Sequence, residues 1–177
     1  LVNNAFLSPR TNPEKFSKPF EEFSLDIWNK TLEVNLTGVF LLCQEFGQVM
    51  VKQKSGSIVN IGSIYGLVGA DQRIYGSSKI NSPVSYAVTK GAIVNLTRYL
   101  AAYWDRKNIR VNTLTLGGVQ DEKYMDKQFI KKYSDKTILG RMAKKEEYSG
   151  ALIFLLSNAS SYMTGANLVV DGGWTAW

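Results

Sequence analysis

Short β-branched runs alternate with long helical segments along this chain, and that alternation narrows the fold more than any other feature. Leu1-Val2 reads as the end of a buried strand entering a loop at Asn3-Asn4. Ser57-Ile58-Val59-Asn60-Ile61, Ile109-Arg110-Val111-Asn112-Thr113-Leu114 and Leu168-Val169-Val170 are further strand-like runs. Apolar residues at Leu36, Val39, Phe40, Cys43, Phe46, Gly47 and Met50 predict a helix from about Asn35 to Gln53, after a separate one near Asp26 to Leu32. Ser82-Pro83 predicts a helix start, because Ser can cap free amides and Pro suits the first turn; that helix runs to about Tyr103. Glu146 to Leu156 predicts another. Residues 8 to 24 carry three prolines and read as loop or short helix, and residues 120 to 145 show no clear period. This order implies parallel βαβ units, so the fold class is α/β with one domain over residues 1–177.

The 177 residues suffice for one domain with a real core. The sequence contains no histidine, which excludes Ser-His and Cys-His nucleophilic machinery and His-containing metal sites; no metal is expected. Proton transfer falls to Tyr, Lys or a carboxylate. The single cysteine, Cys43, sits at a buried helix position with a structural role. The net charge of +6 comes from scattered lysines without a basic and aromatic stripe, so no nucleic-acid partner is expected. At most it favours anionic cofactors or substrates. No apolar run reaches membrane-spanning length, and no basic segment precedes an apolar one at Leu1. The expectation is a cytoplasmic protein without a membrane partner.

In a parallel α/β sheet, ligands sit at the C-terminal ends of the strands. The suspect residues fall there. Tyr86-Ala87-Val88-Thr89-Lys90 places a phenol and an ammonium on one helix face. A free phenol has a pKa of about 10, and a fixed positive charge nearby would lower it toward a working base. Ser63, just after its strand, could donate to a substrate carbonyl oxygen or simply bond its own loop. Asn35 could be a polar group of the site or a helix cap.

LVNNA (1–5), VNLTGVF (34–40), GSIVNIGS (56–63), YAVTK (86–90), IRVNTLTLGG (109–118), GRMA (140–143) and TGANLVVDGG (164–173) together resemble the short-chain dehydrogenase/reductase family, in the family's order. The resemblance implies a Rossmann-type, doubly wound parallel sheet. It also implies hydride transfer between NAD or NADP and a small-molecule carbonyl/alcohol pair, in a homodimer or homotetramer. Tyr86 would be the general acid/base, Lys90 would lower its pKa and bond the nicotinamide ribose, and Ser63 would orient the substrate oxygen. Asn35 would hold a water in a relay with Lys90. Asn3 and Ala5 would lie along the cofactor, and the backbone of Gly117, Gly118 and Val119 would face the nicotinamide carboxamide.

The chain departs from the family pattern in three places. Leu116-Gly117 stands where the family usually has Pro-Gly. Ser63 and Tyr86 lie further apart than is usual, and the extra residues, about Ala70 to Asn81, include Asp71, Arg73, Tyr75 and Lys79. They are expected to form a flap over the substrate, with Arg73 and Lys79 suiting an anionic or nucleotide-linked sugar. No glycine-rich pyrophosphate loop occurs, because the chain opens at what resembles the family's fourth strand. The expectation is a truncated sequence whose N-terminal third is absent and which binds dinucleotide poorly by itself. The insert, the Ser63-Ile64-Tyr65-Gly66 run and the Gly-Gly-Trp-Thr-Ala-Trp ending resemble family members of bacterial surface-sugar pathways. Alternatives are a 3-oxoacyl carrier-protein reductase-like enzyme and a non-catalytic binding or oligomerisation module. The Tyr-x-x-x-Lys spacing disfavours enoyl reductases.

Overall fold

The computed structural model describes residues 1–9, 12–76 and 80–177. Lys79 of the insert lies outside the described residues. Among the described residues, four strands form one fully parallel sheet in the order β1 (Val2–Asn3), β2 (Gly56–Ser63), β3 (Ile109–Leu116), β4 (Asn167–Val170). The helices are α1 (Pro13–Phe16), α2 (Leu25–Leu32), α3 (Gly38–Gln53), α4 (Val84–Tyr103), α5 (Lys127–Ser134) and α6 (Ser149–Leu156).

The sheet is covered on both faces, so its central strands β2 and β3 are buried along most of their length. On one face Ile58 and Val111 pack with Val39, Cys43 and Met50 of α3, Ile93 of α4 and Trp104. On the other, Val59, Ile61 and Leu114 pack with Leu155 of α6. A polar row also crosses the sheet. Asn3 donates to Asn60 (2.8 Å), Asn60 donates to Thr97 of α4 (2.9 Å), and the Thr113 hydroxyl donates to that of Thr97 (2.8 Å). Each is buried, so each bond also spares the cost of an unpaired polar group.

Five expectations need correction. The two early helices are one uninterrupted helix of 29 residues, Leu25–Gln53. A π turn over Glu33–Thr37 joins them: it absorbs one extra residue without breaking the axis. The joined helix is long and apolar enough to cross a bilayer by length and composition, contrary to the expectation. Here Val39, Cys43, Gly47 and Met50 are its buried face. Ser82 does not cap α4: Pro83 holds the cap position without a side-chain bond, and Ser82 instead exchanges two backbone bonds with the Gln72 carboxamide (3.0 and 3.1 Å). β2 extends through Ser63, which pairs with Leu116, so Ser63 is the last strand residue rather than a loop residue. Finally, residues 120 to 145 contain a helix, α5, capped by the Asp126 carboxylate on the Phe129 N–H (2.7 Å).

Candidate active site

The site forms where β1 and β2 stop pairing. Val2 pairs with Val59 and Asn3 with Asn60, and there the ladder ends. The carbonyl of Ile61, one residue on, therefore has no strand partner on that side. Lys90, in the second turn of α4, donates to it at 2.7 Å. Gly66 makes this approach possible: a Cβ there would lie 2.6 Å from the Lys90 carbonyl carbon. The 3-10 turn after β2 thus rests directly on the α4 backbone.

Tyr86, one turn before Lys90, meets Ser63. The Ser63 oxygen accepts the Tyr65 N–H (3.3 Å), and the Ser63 hydroxyl faces Tyr86. Burial raises the Tyr86 pKa, and Ser63 opposes that. Lys90 has no share in the shift, contrary to expectation. Its ammonium stands over the Tyr86 ring, 5.7 Å from the centroid, drawn there by the Ile61 carbonyl rather than toward the phenolic oxygen. Burial pushes Lys90 itself down to about 8.

Asn35 is buried in the π turn, with both ends of its carboxamide hydrogen-bonded. Its carboxamide oxygen accepts the Leu7 N–H (2.7 Å), and its nitrogen donates to Thr89 of α4 (3.3 Å). It ties the loop after β1 to the helix carrying Tyr86 and Lys90. Neither reading from the residues alone, a site group or a helix cap, anticipated this bridge. Asn3 lies at the edge of the site; its nitrogen bonds Asn60 and the Cys43 sulfur (3.3 Å), while its carboxamide oxygen is buried without a partner among the described residues. Burial raises the Cys43 thiol pKa, as befits an inert thiol. Ala5 continues the loop from Asn3, exposed.

The loop after β3 divides in its use of the backbone. Gly117 donates to Val170 (2.9 Å) and accepts from the Tyr148 hydroxyl (3.0 Å). The Gly118 N–H donates to the Tyr133 hydroxyl (2.5 Å), and its carbonyl accepts from Ala143 (3.0 Å). Val119 bridges Ala143 in parallel fashion, and the two bridge bonds belong to Gly118 and Gln120 (2.8 Å). In that geometry Val119's own N–H and C=O turn away from Ala143, and neither has a protein partner among the described residues. These clamps do what a proline would have done for rigidity at Leu116.

The insert is anchored rather than loose. Ile74 is buried beside Ile64, Tyr133, Met142 and Trp174, and the Tyr75 ring sits 5.2 Å from Phe129 of α5. Asp71 pairs with Lys136 and, through two bonds of 2.8 and 2.9 Å, with Arg73. Those charges hold the Asp71 carboxyl well below the usual carboxylate range. Arg73 is therefore paired with its neighbour while its side chain stays exposed.

A doubly wound parallel sheet with a serine, a tyrosine and a lysine gathered at its carboxyl edge defines a Rossmann-type α/β protein. A family model described as enoyl-(acyl carrier protein) reductase matches residues 1–175, and the chain belongs to the short-chain dehydrogenase/reductase family. It is 38% identical over 157 residues to galactitol 2-dehydrogenase (L-tagatose-forming) of Cereibacter sphaeroides, covering 85% of this chain and 58% of that protein. A short-chain dehydrogenase of Leptospira borgpetersenii with bound NAD+ superposes with a TM-score of 0.82 at 42% identity, over 89% of this chain and 60% of the other. A gluconate 5-dehydrogenase of Burkholderia cenocepacia in complex with NADP and tartrate gives 0.85 at 32% identity, over 99% and 64%. The chain thus spans about three-fifths of the length of these relatives.

Proposed function

We propose that this chain carries the catalytic residues of an NAD(P)-dependent oxidoreductase that interconverts a carbonyl and an alcohol on a small polyhydroxylated substrate, a sugar derivative. The observation behind the reading is the meeting of Ser63 and Tyr86 at the end of β2, with Lys90 one turn behind and bonded to the Ile61 carbonyl. The relatives named for galactitol and gluconate support the substrate class. The Tyr86–Lys90 spacing sets this reaction apart from enoyl reduction.

The residues present fit the nicotinamide end of a dinucleotide. Val119 offers a donor and an acceptor side by side, the complement of a primary carboxamide. Lys90 has two N–H groups beyond the one given to Ile61, enough for ribose hydroxyls. Asn3 and Ala5 border the same edge. The bound dinucleotide would supply or accept the hydride. Ser63 would donate a hydrogen bond to the substrate oxygen, and Tyr86 would pass a proton to it in reduction or take one in oxidation. Asn35 would keep the β1 loop and α4 in register rather than contact the substrate.

The same reading makes the protein a cytoplasmic homodimer or homotetramer. Phe40, Phe46 and Val49 of α3 and Val88 and Tyr99 of α4 are exposed, an apolar surface that a second copy would cover. The direct test is Tyr86→Phe in the native protein. Turnover should fall by roughly 10²–10⁴-fold with dinucleotide affinity kept; near-native turnover would overturn the assignment.

A further inference from the structure

We propose that Phe6 is a positioning residue of the Tyr86–Lys90 pair, a ring that covers the open side of Lys90 and that a dinucleotide must displace. The inference rests on the dinucleotide reading above. Phe6 is the first residue past Ala5, on the loop leaving β1. Its ring meets the Tyr86 ring edge-on, with centroids 5.9 Å apart and planes at 62°. The Lys90 ammonium lies 5.7 Å from the Phe6 centroid and 5.7 Å from that of Tyr86. The three points form a near-equilateral triangle, so the two rings lie together on one side of the cation, with the Ile61 carbonyl as its oxygen partner. The backbone beneath is pinned, because Leu7 N–H is held by Asn35 at 2.7 Å.

A ligand that reaches Lys90 through hydroxyl oxygens must take the place of one of these three neighbours. The Ile61 carbonyl belongs to the buried end of β2 and cannot leave. Tyr86 is fixed by its helix and by Ser63. Phe6 is 45% exposed, so it is the neighbour that solvent reaches most. Its ring covers both working groups at once, so it contributes to the burial that holds Lys90 at about 8. Tyr86 is the titratable side chain that faces Lys90 here, and burial is the cause of the lysine's shift.

The test compares Phe6→Ala and Phe6→Leu with the native protein, using NAD+ and NADP+ as probes and a ligand-free titration of Lys90 by NMR. Loss of the cation–π contact should tighten dinucleotide binding in Phe6→Ala by about two- to fivefold, the factor equivalent to 0.5–1 kcal/mol. Phe6→Leu, which keeps an apolar cover but no ring, should fall between. In the ligand-free protein the Lys90 titration should move up from about 8 in Phe6→Ala, as water reaches the amine. An unmoved Lys90 titration would overturn the covering role whatever the dinucleotides do. Weaker or unchanged dinucleotide binding in Phe6→Ala, beside a native protein that binds, would overturn displacement alone. No dinucleotide binding by native or variant, with the Lys90 shift present, would uphold the cover and overturn the functional reading and the displacement built on it.

Discussion

Lys90 sets its ammonium 2.7 Å from the carbonyl oxygen of Ile61, one residue past the point where β1 stops pairing with β2. The lysine thus completes a sheet edge as well as facing Tyr86. The single carbonyl does not repay the burial, which is why its pKa falls to about 8.

A pH dependence of stability follows. The unfolded lysine titrates near its ordinary 10.5, the folded one near 8. Below about pH 8 both states hold the proton, and the folded state bears the full cost of a buried charge. Between about 8 and 10.5 the unfolded state binds more protons, so stability rises with pH. Lys90→Met removes the titration. The native protein should gain on this variant by roughly 3 kcal/mol across that window. Denaturant midpoints of the two proteins at pH 7 and pH 10 check it; a constant gap would show that Lys90 is not desolvated.

Gly118→Ala tests the loop after β3. A Cβ at this position would lie 2.6 Å from the Tyr133 ring and 2.8 Å from the Met142 methyl. Both neighbours are buried, so the loop, rather than the side chains, should yield. Val119 would move with it and lose its alignment. We expect dinucleotide affinity to fall by about tenfold or more, the equivalent of one good hydrogen bond to a ligand, while Tyr86 and Ser63 stay in place. Calorimetric titration with NAD+ and NADP+ reads the loss, and unchanged affinity would remove Val119 from the cofactor site.

The strands and the long α4 were legible in the sequence because each follows from local pattern, whereas the grouping of Ser63 with Tyr86 and Lys90 came from the family resemblance. β-branched runs mark strands, and a four-residue spacing puts Tyr86 and Lys90 on one helix face. Other features depend on distant partners. The π turn at Asn35 carries no composition signal; it is defined by Leu7 and Thr89, which the sequence places far away on either side. Phe6 looks like any loop aromatic until the fold brings it to Lys90. Ser82 has the chemistry of a cap, but Gln72 takes its backbone first. Only α5 was recoverable: Asp126 as a cap, then Phe129, Ile130 and Tyr133 on one face, is a helix signal hidden by four lysines in the same stretch, residues 123 to 132.

Asn35→Ala separates positioning from chemistry. The substitution removes the acceptor for Leu7 N–H and the donor to Thr89 from a buried position. Leaving the Leu7 amide unpaired should cost about 1–3 kcal/mol. That is a drop of several degrees in Tm for a domain of this size. Because the freed segment carries Ala5, which borders the cofactor edge, dinucleotide affinity should weaken along with turnover. Asn35→Asp retains the oxygen that Leu7 needs and should recover part of the stability. Turnover lost without any change in Tm or affinity would instead make Asn35 part of the reaction itself.

The insert supplies the last prediction. Asp71 accepts from the Arg73 backbone (3.0 Å), pairs with the Arg73 guanidinium and reaches Lys136 beyond α5. One carboxylate therefore fixes the turn Gln72–Tyr75 against the helix that forms the opposite wall. Its pKa is held well below the usual range, so the anchor's contribution is complete above the ordinary aspartate pKa and is lost only as pH falls through the folded value. Asp71→Asn keeps a cap acceptor but loses both charge pairs, and the wall should loosen at every working pH. If this wall bounds the substrate, KM for a polyol such as galactitol should rise severalfold while kcat changes little. Dinucleotide affinity should stay at the native value, because Lys90 and Val119 lie on other elements. Steady-state kinetics at pH 6 and pH 8 make the comparison, and an unaltered KM at both would show that the insert stands away from the bound substrate.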